Sequence, residues 1–207
     1  MWRKGYEVPA NYNDNELSCG RALKLSFQIE PWKNNPGCGV CGDPIKGPRH
    51  NEFPNGKYAK NPVAVEHYTS ESNITVEVML TTNHRGFFLF KICSADGRRE
   101  EVTQECLDSN PLEVLDENQV KGKYKYMVKA EQSKMIKIRL KLPAITCDRC
   151  VLQWDYRTGN NWGKCPDGSY SNDCGAGETF RSCADVQITT DLTVHYSVEI
   201  EKNDDVW

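Results

Sequence analysis

The chain lacks any apolar run approaching the roughly 18 residues that a helix needs to cross a bilayer, so the sequence offers no membrane-spanning helix. It lacks a basic excess. The net charge is -3, whereas a binder of duplex nucleic acid carries a surplus of cations, which excludes that partner class. No HxH or HExxH cluster, Gly-x-Ser-x-Gly elbow, phosphate-cradling glycine loop or Ser/His/Asp set is present, which removes the common hydrolase and nucleotide-hydrolysing mechanisms. Internal repeats, low-complexity tracts and a convincing amphipathic helix are missing too. Histidine is scarce, with His50, His67, His84 and His195 making up the full set of 4. Finally, Met1-Trp2-Arg3-Lys4 is followed by no apolar leader.

Cysteine, in contrast, is abundant. The 10 cysteines are Cys19, Cys38, Cys41, Cys93, Cys106, Cys147, Cys150, Cys165, Cys174 and Cys183. An even count at this density fits disulfides formed in an oxidising compartment, so a secreted protein is expected. A disulfide-rich chain without a leader implies a true N-terminus upstream of Met1. With 207 residues the chain can bury a core of its own, and residues 1–200 are expected to form a single domain followed by a tail at 201–207.

The first sixty residues are rich in turn signals, including Asn11 to Asn15, Asn34-Asn35-Pro36-Gly37 and Gly42-Asp43-Pro44. From residue 63 the pattern changes to short strands. Asn73–Leu80 and Met135–Leu142 alternate apolar with polar residues. Phe87–Ile92, Tyr124–Val128, Val151–Tyr156, Val186–Thr190 and Thr193–Ile200 complete the predicted set. About seven strands with turns between them predict an all-β sandwich with long loops and several disulfides.

Several motifs carry chemistry. Cys38-Gly39-Val40-Cys41 and Cys147-Asp148-Arg149-Cys150 are CxxC pairs that could hold zinc, but their wide separation favours disulfides. Asn73-Ile74-Thr75 is a glycosylation sequon. His84 follows a predicted strand, in Thr81-Thr82-Asn83-His84-Arg85-Gly86. A loop at a strand end on a rigid sandwich is where binding groups sit, and imidazole suits copper and zinc. The plainer alternative is a solvent-facing turn residue. Tyr6, Tyr12, Trp32, Trp162 and Tyr170 lie in polar loops, where flat rings can stack on sugars or simply pack the loop.

Taken together, Met1 to Tyr6, Asn11 to Gly20, Cys38 to Asp43, Thr82 to Gly86, Gln104 to Cys106, Cys147 to Gly163 and Glu178 to Val186 resemble the lytic polysaccharide monooxygenases of auxiliary activity family fifteen, also called chitin-binding type-4 domains. The resemblance runs from residue 1 to about residue 190. It implies an immunoglobulin-like or fibronectin-III-like β-sandwich with a flat binding face, and one copper ion held in a histidine brace. His84 matches the second brace histidine, Phe180 the axial position, and Thr82 a small residue packing over the metal. Gln153 and Trp154 would lie on a core strand nearby, Gln153 as an outlying contributor to the site. Tyr6, Tyr12 and Trp162 would touch substrate.

The implied activity is oxidative cleavage of glycosidic bonds in chitin or cellulose by a monomer fed by an external electron donor. The family's first brace histidine has no counterpart after Met1, so the resemblance implies that it lies upstream, on a segment this chain does not include. A non-catalytic chitin-binding module and a cuticle or matrix protein are the alternative uses of the same scaffold.

Overall fold

The computed structural model describes residues 2–13, 17–19, 38–45, 47–116, 123–129, 135–159, 163–171 and 178–190. A 3-10 turn at Trp2–Lys4 precedes β1 (Ser18–Cys19), β2 (Ala64–Thr69), β3 (Asn73–Met79), β4 (Phe87–Ser94), the helix α1 (Gln104–Ser109), β5 (Glu113–Val114), β6 (Lys125–Met127), β7 (Met135–Lys141), β8 (Cys147–Arg157), β9 (Gly163–Lys164), β10 (Tyr170–Ser171) and β11 (Thr179–Thr189). The larger sheet runs β1-β11-β8-β4-β6, with β2 added parallel to β11. The smaller runs β3-β7-β5, and β9 pairs with β10 as a separate hairpin.

The alternation in β3 and β7 explains the smaller sheet. Val76 pairs with Ile138 and Val78 with Ile136. Ile74, Val78, Ile136, Ile138 and Leu140 turn inward, while Glu77, Lys137 and Arg139 stay outside. Against them the larger sheet packs Phe88, Phe90, Ile92, Tyr156 and Ile188. Phe88 sits at the centre, with Tyr156 at 4.9 Å and Trp154 at 5.4 Å edge-on and Tyr126 stacked at 5.9 Å between ring centroids.

The second face of the larger sheet is also covered, by α1 and the loops from residue 38 to 59. Cys41–Cys183 ties the first loop to β11, Cys93–Cys106 ties α1 to β4, and Cys147–Cys150 closes within β8. Cys38 and Cys165 are disulfide-bonded as well. The two CxxC pairs therefore behave differently, and neither is a zinc site. Thr103 caps α1 by accepting from the Cys106 N–H at 3.2 Å.

Under this cover lies a polar layer. Asp155, fully buried on β8, receives Arg181 at 3.2 Å, Lys91 at 3.5 Å and Arg157 at 3.6 Å. Gln104 of α1 and Gln153 of β8 pair amide to amide at 2.9 and 3.1 Å, and Arg181 donates to Gln104 Oε1 at 3.0 Å. Burial opposes the charge of Asp108, but hydrogen bonds from Lys91 and Gln104 hold its carboxyl below the ordinary range.

The predicted strands at 73–80, 87–92, 124–128, 135–142 and 151–156 are all present. β8 and β11 are longer than expected: β8 starts within the Cys147 to Cys150 motif, and the added part of β11 buries Thr179, Arg181 and Asp185, polar side chains that give no apolar alternation. β2 and the two-residue strands were not anticipated. Nor was α1, whose six residues are too few to show a helical period. The predicted strand at 193–200 and the tail at 201–207 lie outside the described residues.

Ile138 is fully buried between the sheets. Ile138→Ala should lower unfolding stability by about 2–5 kcal/mol in chemical denaturation. A loss under about 1 kcal/mol would show that the two sheets do not share one packed core.

Candidate metal centre

His84 sits where the chain crosses from one sheet to the other. β3 ends at Met79, Leu80 is buried, and β4 begins at Phe87. The intervening turn is held at every point. Asn83 Oδ1 accepts from the Arg85 N–H at 2.7 Å, a local Asx closure. The Asn83 amide donates to the Lys129 carbonyl at 2.8 Å. The His84 N–H donates to the Tyr156 hydroxyl at 2.9 Å, and the His84 carbonyl accepts from Gly159 at 2.9 Å. Arg85 and Gly86 have φ of 55° and 80°. Gly86 is required on two grounds. Its φ is left-handed, and a Cβ would collide with the Arg157 carbonyl and stand 2.7 Å from Gly159 N.

Phe180 completes the arrangement. It lies on β11 in register with Tyr156 of β8. Its ring is nearly parallel to the His84 imidazole, at 4° with centroids 6.2 Å apart, and stacks on Tyr156 at 5.9 Å. Burial pushes the Tyr156 phenol up, with the bond from His84 pulling the other way. The hydroxyl therefore stays neutral at physiological pH and accepts from the His84 backbone.

The sequence-predicted residues divide. His84 and Phe180 come together, and Thr82 is exposed on the same turn. Gln153 does not join them. It faces the opposite side of the sheet from Tyr156, where it binds Gln104 and the Val40 carbonyl at 2.6 Å. Tyr6 donates to Val65 at 3.0 Å and Tyr12 packs on Trp2 at 5.2 Å, so both belong to the N-terminal segment. Asn73 is exposed at the start of β3. Trp162, Cys174, His195, Trp32 and the side chain of Cys19 lie outside the described residues. Tyr156 was missed, and its one sequence signal is that it shares the inward parity of Trp154.

Among the described residues, no three His, Cys, Asp or Glu side chains converge. His50 lies edge-on to Tyr58 at 6.2 Å and His67 bonds Gln187 at 2.8 Å, each away from His84. The donor offered at this turn is thus one imidazole flanked by an apolar ring. That chemistry suits copper better than calcium or magnesium, which take oxygen.

The sequence profile of a family described as lytic polysaccharide mono-oxygenase, cellulose-degrading, matches residues 3–186. The chain belongs to the lytic polysaccharide monooxygenases. A solved structure, the AA15 lytic polysaccharide monooxygenase from Thermobia domestica in the Cu(I) state, shares 40% identity with it. That similarity has a TM-score of 0.77 and covers 92% of this chain and 94% of the other. No curated protein matches the chain. For a monooxygenase of this family, a turn locked to two strand ends places one imidazole with little freedom to move.

Tyr156→Phe should leave the partly buried His84 N–H without its acceptor at a cost of about 1 kcal/mol, read as a lower Tm. An unchanged Tm would mean that the hydroxyl does not hold the turn.

Proposed function

We propose that this lytic polysaccharide monooxygenase uses one copper ion to cleave glycosidic bonds oxidatively in insoluble polysaccharide, either chitin or cellulose. The observation that carries the reading is the placement of His84 beside Phe180 on a turn clamped to Tyr156 and Gly159. His84 would hold the metal through its ring, with the apolar ring of Phe180 beside it. The remaining donors in this reading are the amino group and imidazole of an N-terminal histidine preceding Met1. Bound copper supplies the activation of O2 or H2O2 that hydrogen abstraction at C1 or C4 of the sugar requires.

The rest is the work of the chain's own side chains. Tyr156 holds the His84 backbone while its ring supports Phe180. Phe180 presents a face with no lone pair, which keeps water from becoming a further strong ligand on that side. Gly86 and Gly159 let two backbones meet, so the imidazole is positioned by main chain and not by a flexible side-chain contact. Tyr6, Tyr12 and Trp162 are the proposed sugar contacts. Only Tyr12 is largely exposed among the two that are described, at 77%. The disulfides support a secreted protein, and residues 1–200 are proposed as one monomeric domain with a tail at 201–207.

The decisive assay is product analysis. The secreted chain, carrying its authentic N-terminus, is incubated with chitin and separately with cellulose, copper, a reductant and O2. Oxidised oligosaccharides from one polymer are expected, and their mass identifies C1 or C4 attack. Retention on chitin after metal chelation, with no oxidised product from either polymer, would replace the enzyme by a non-catalytic binding module.

A further inference from the structure

The smaller sheet leaves one strand edge open. β3 pairs with β7 on one side only, and β7 carries β5 on its other side. The bonding phase follows from the ends of the ladders. The Leu142 N–H donates to the Ser72 carbonyl at 3.0 Å, and the Leu115 N–H to the Arg139 carbonyl at 2.8 Å. Arg139 and Lys141 therefore turn their main chain toward β5, while Ile138, Leu140 and Leu142 turn theirs toward β3. Their partners on the β3 side are Val76, Ile74 and Ser72. The main-chain N–H and C=O groups of Asn73, Thr75 and Glu77 are left pointing off the sheet, with no partner strand among the described residues. Such an edge is a template for pairing with another chain. β3 has few of the usual defences. It holds no proline, no lysine and no bulge, and its one charge, Glu77, is taken by Lys137 at 3.0 Å.

The sequon lies on this edge. Asn73 and Thr75 share the outward face of β3 and are both exposed, while Ile74 between them is buried. The side chains across the ladder are engaged elsewhere. Lys141 donates to the Glu71 carbonyl, and Arg139 reaches the Leu115 carbonyl at 3.2 Å and Asp116 at 3.6 Å. The Asn73 amide and the Thr75 hydroxyl form no hydrogen bond among the described residues. From Asn73 the strand runs toward the His84 turn. Its seven residues span about 20 Å, so a group on Asn73 stands at the end of the sandwich away from the candidate metal centre.

We propose that Asn73 carries an N-linked glycan and that this glycan guards the open edge of β3 against pairing with a second copy of the chain. The proposal rests on the reading of the chain as secreted, because the sugar donor, a lipid-pyrophosphate-linked oligosaccharide, is met on the export route. In the transfer, Asn73 Nδ2 forms a bond to C1 of the donor's first sugar and gives up one proton. The bond from C1 to the pyrophosphate oxygen breaks, and the lipid pyrophosphate leaves as the anion. No electrons are exchanged. Thr75 supplies the hydroxyl that the acceptor motif requires.

Two measurements test it. In the first, the full chain with its authentic N-terminus is secreted from a eukaryotic host, and its intact mass is taken before and after peptide N-glycosidase. Loss of a glycan's mass is expected, with residue 73 converted to aspartate. Asn73→Gln and Thr75→Ala should each abolish the glycan, and Thr75→Ser should retain it. A secreted, disulfide-bonded chain with unmodified Asn73 overturns the proposal and leaves the secreted reading standing. A chain kept in the cytosol with free thiols overturns both.

The second is sedimentation velocity over a range of concentrations. The glycosylated chain should stay monomeric. Thr75→Ala should shift it to dimers or larger species. Thr75→Lys also lacks the glycan but puts a charge on the edge, and it should restore the monomer. A monomeric Thr75→Ala chain, or equal association of the two variants, overturns the guarding role. Copper(II) affinity should be the same with and without the glycan, and a changed affinity would contradict its placement away from His84.

Discussion

Everything at the candidate centre depends on one close approach of backbone to backbone. Gly86 enters the end of β8 so tightly that no side chain fits between it and the Arg157 carbonyl. That contact brings the His84 carbonyl to Gly159 and the His84 N–H to Tyr156. The crossing between the two sheets is thus a pinned joint. A mobile loop would spread the imidazole over many positions, whereas here the main chain fixes where His84 leaves the turn and its ring lies parallel to Phe180. Preorganisation of this kind lowers the ordering cost of binding.

The joint is only as firm as β8, and β8 is buried on both faces. Its inner face contributes Trp154 and Tyr156 to the aromatic core. Its outer face carries Gln153 and Asp155, neither of which reaches solvent. Removing a carboxylate and several cations from water is costly, and such clusters rarely add net stability over an apolar equivalent. Here the cluster ties β4, β8, β11 and α1 into one register, while Cys41–Cys183 and Cys93–Cys106 hold the covering segments over it. The Glu101 carboxylate receives Arg149 at 3.0 Å and Asp185 receives it at 2.8 Å, extending the same polar layer. Burial raises the Asp185 carboxyl, with Arg149 opposing the shift.

Much of this was legible in the amino-acid order, for identifiable reasons. β3 and β7 each bury one face, so their alternation is visible and their limits came out within a residue or two. β8 is buried on both faces along its middle and β11 buries polar Thr179, Arg181 and Asp185, so an apolar period could not show their ends. α1 is too short to reveal a helical period, and β2 pairs parallel with a strand more than a hundred residues away, which no local signal encodes. At the site, His84 and Phe180 could be named through resemblance. Tyr156 could not, because its role arises from register with Phe180 and from a hydroxyl aimed at a main-chain N–H. Gln153 was expected near the His84 site, but it lies on the other face of β8. Residues three apart on a strand face opposite sides, and Gln153 serves the polar layer behind the sheet.

The central claim is that His84 is a copper ligand. It is tested most directly by copper(II) titration of the chain with its authentic N-terminus and of its His84→Ala variant, followed by electron paramagnetic resonance. The account predicts one tight site in the parent chain with nitrogen coupling from imidazole, and a changed spectrum with one imidazole's coupling lost, together with a large drop in affinity, in the variant. An unchanged spectrum and affinity in His84→Ala would remove His84 from the centre and contradict the account.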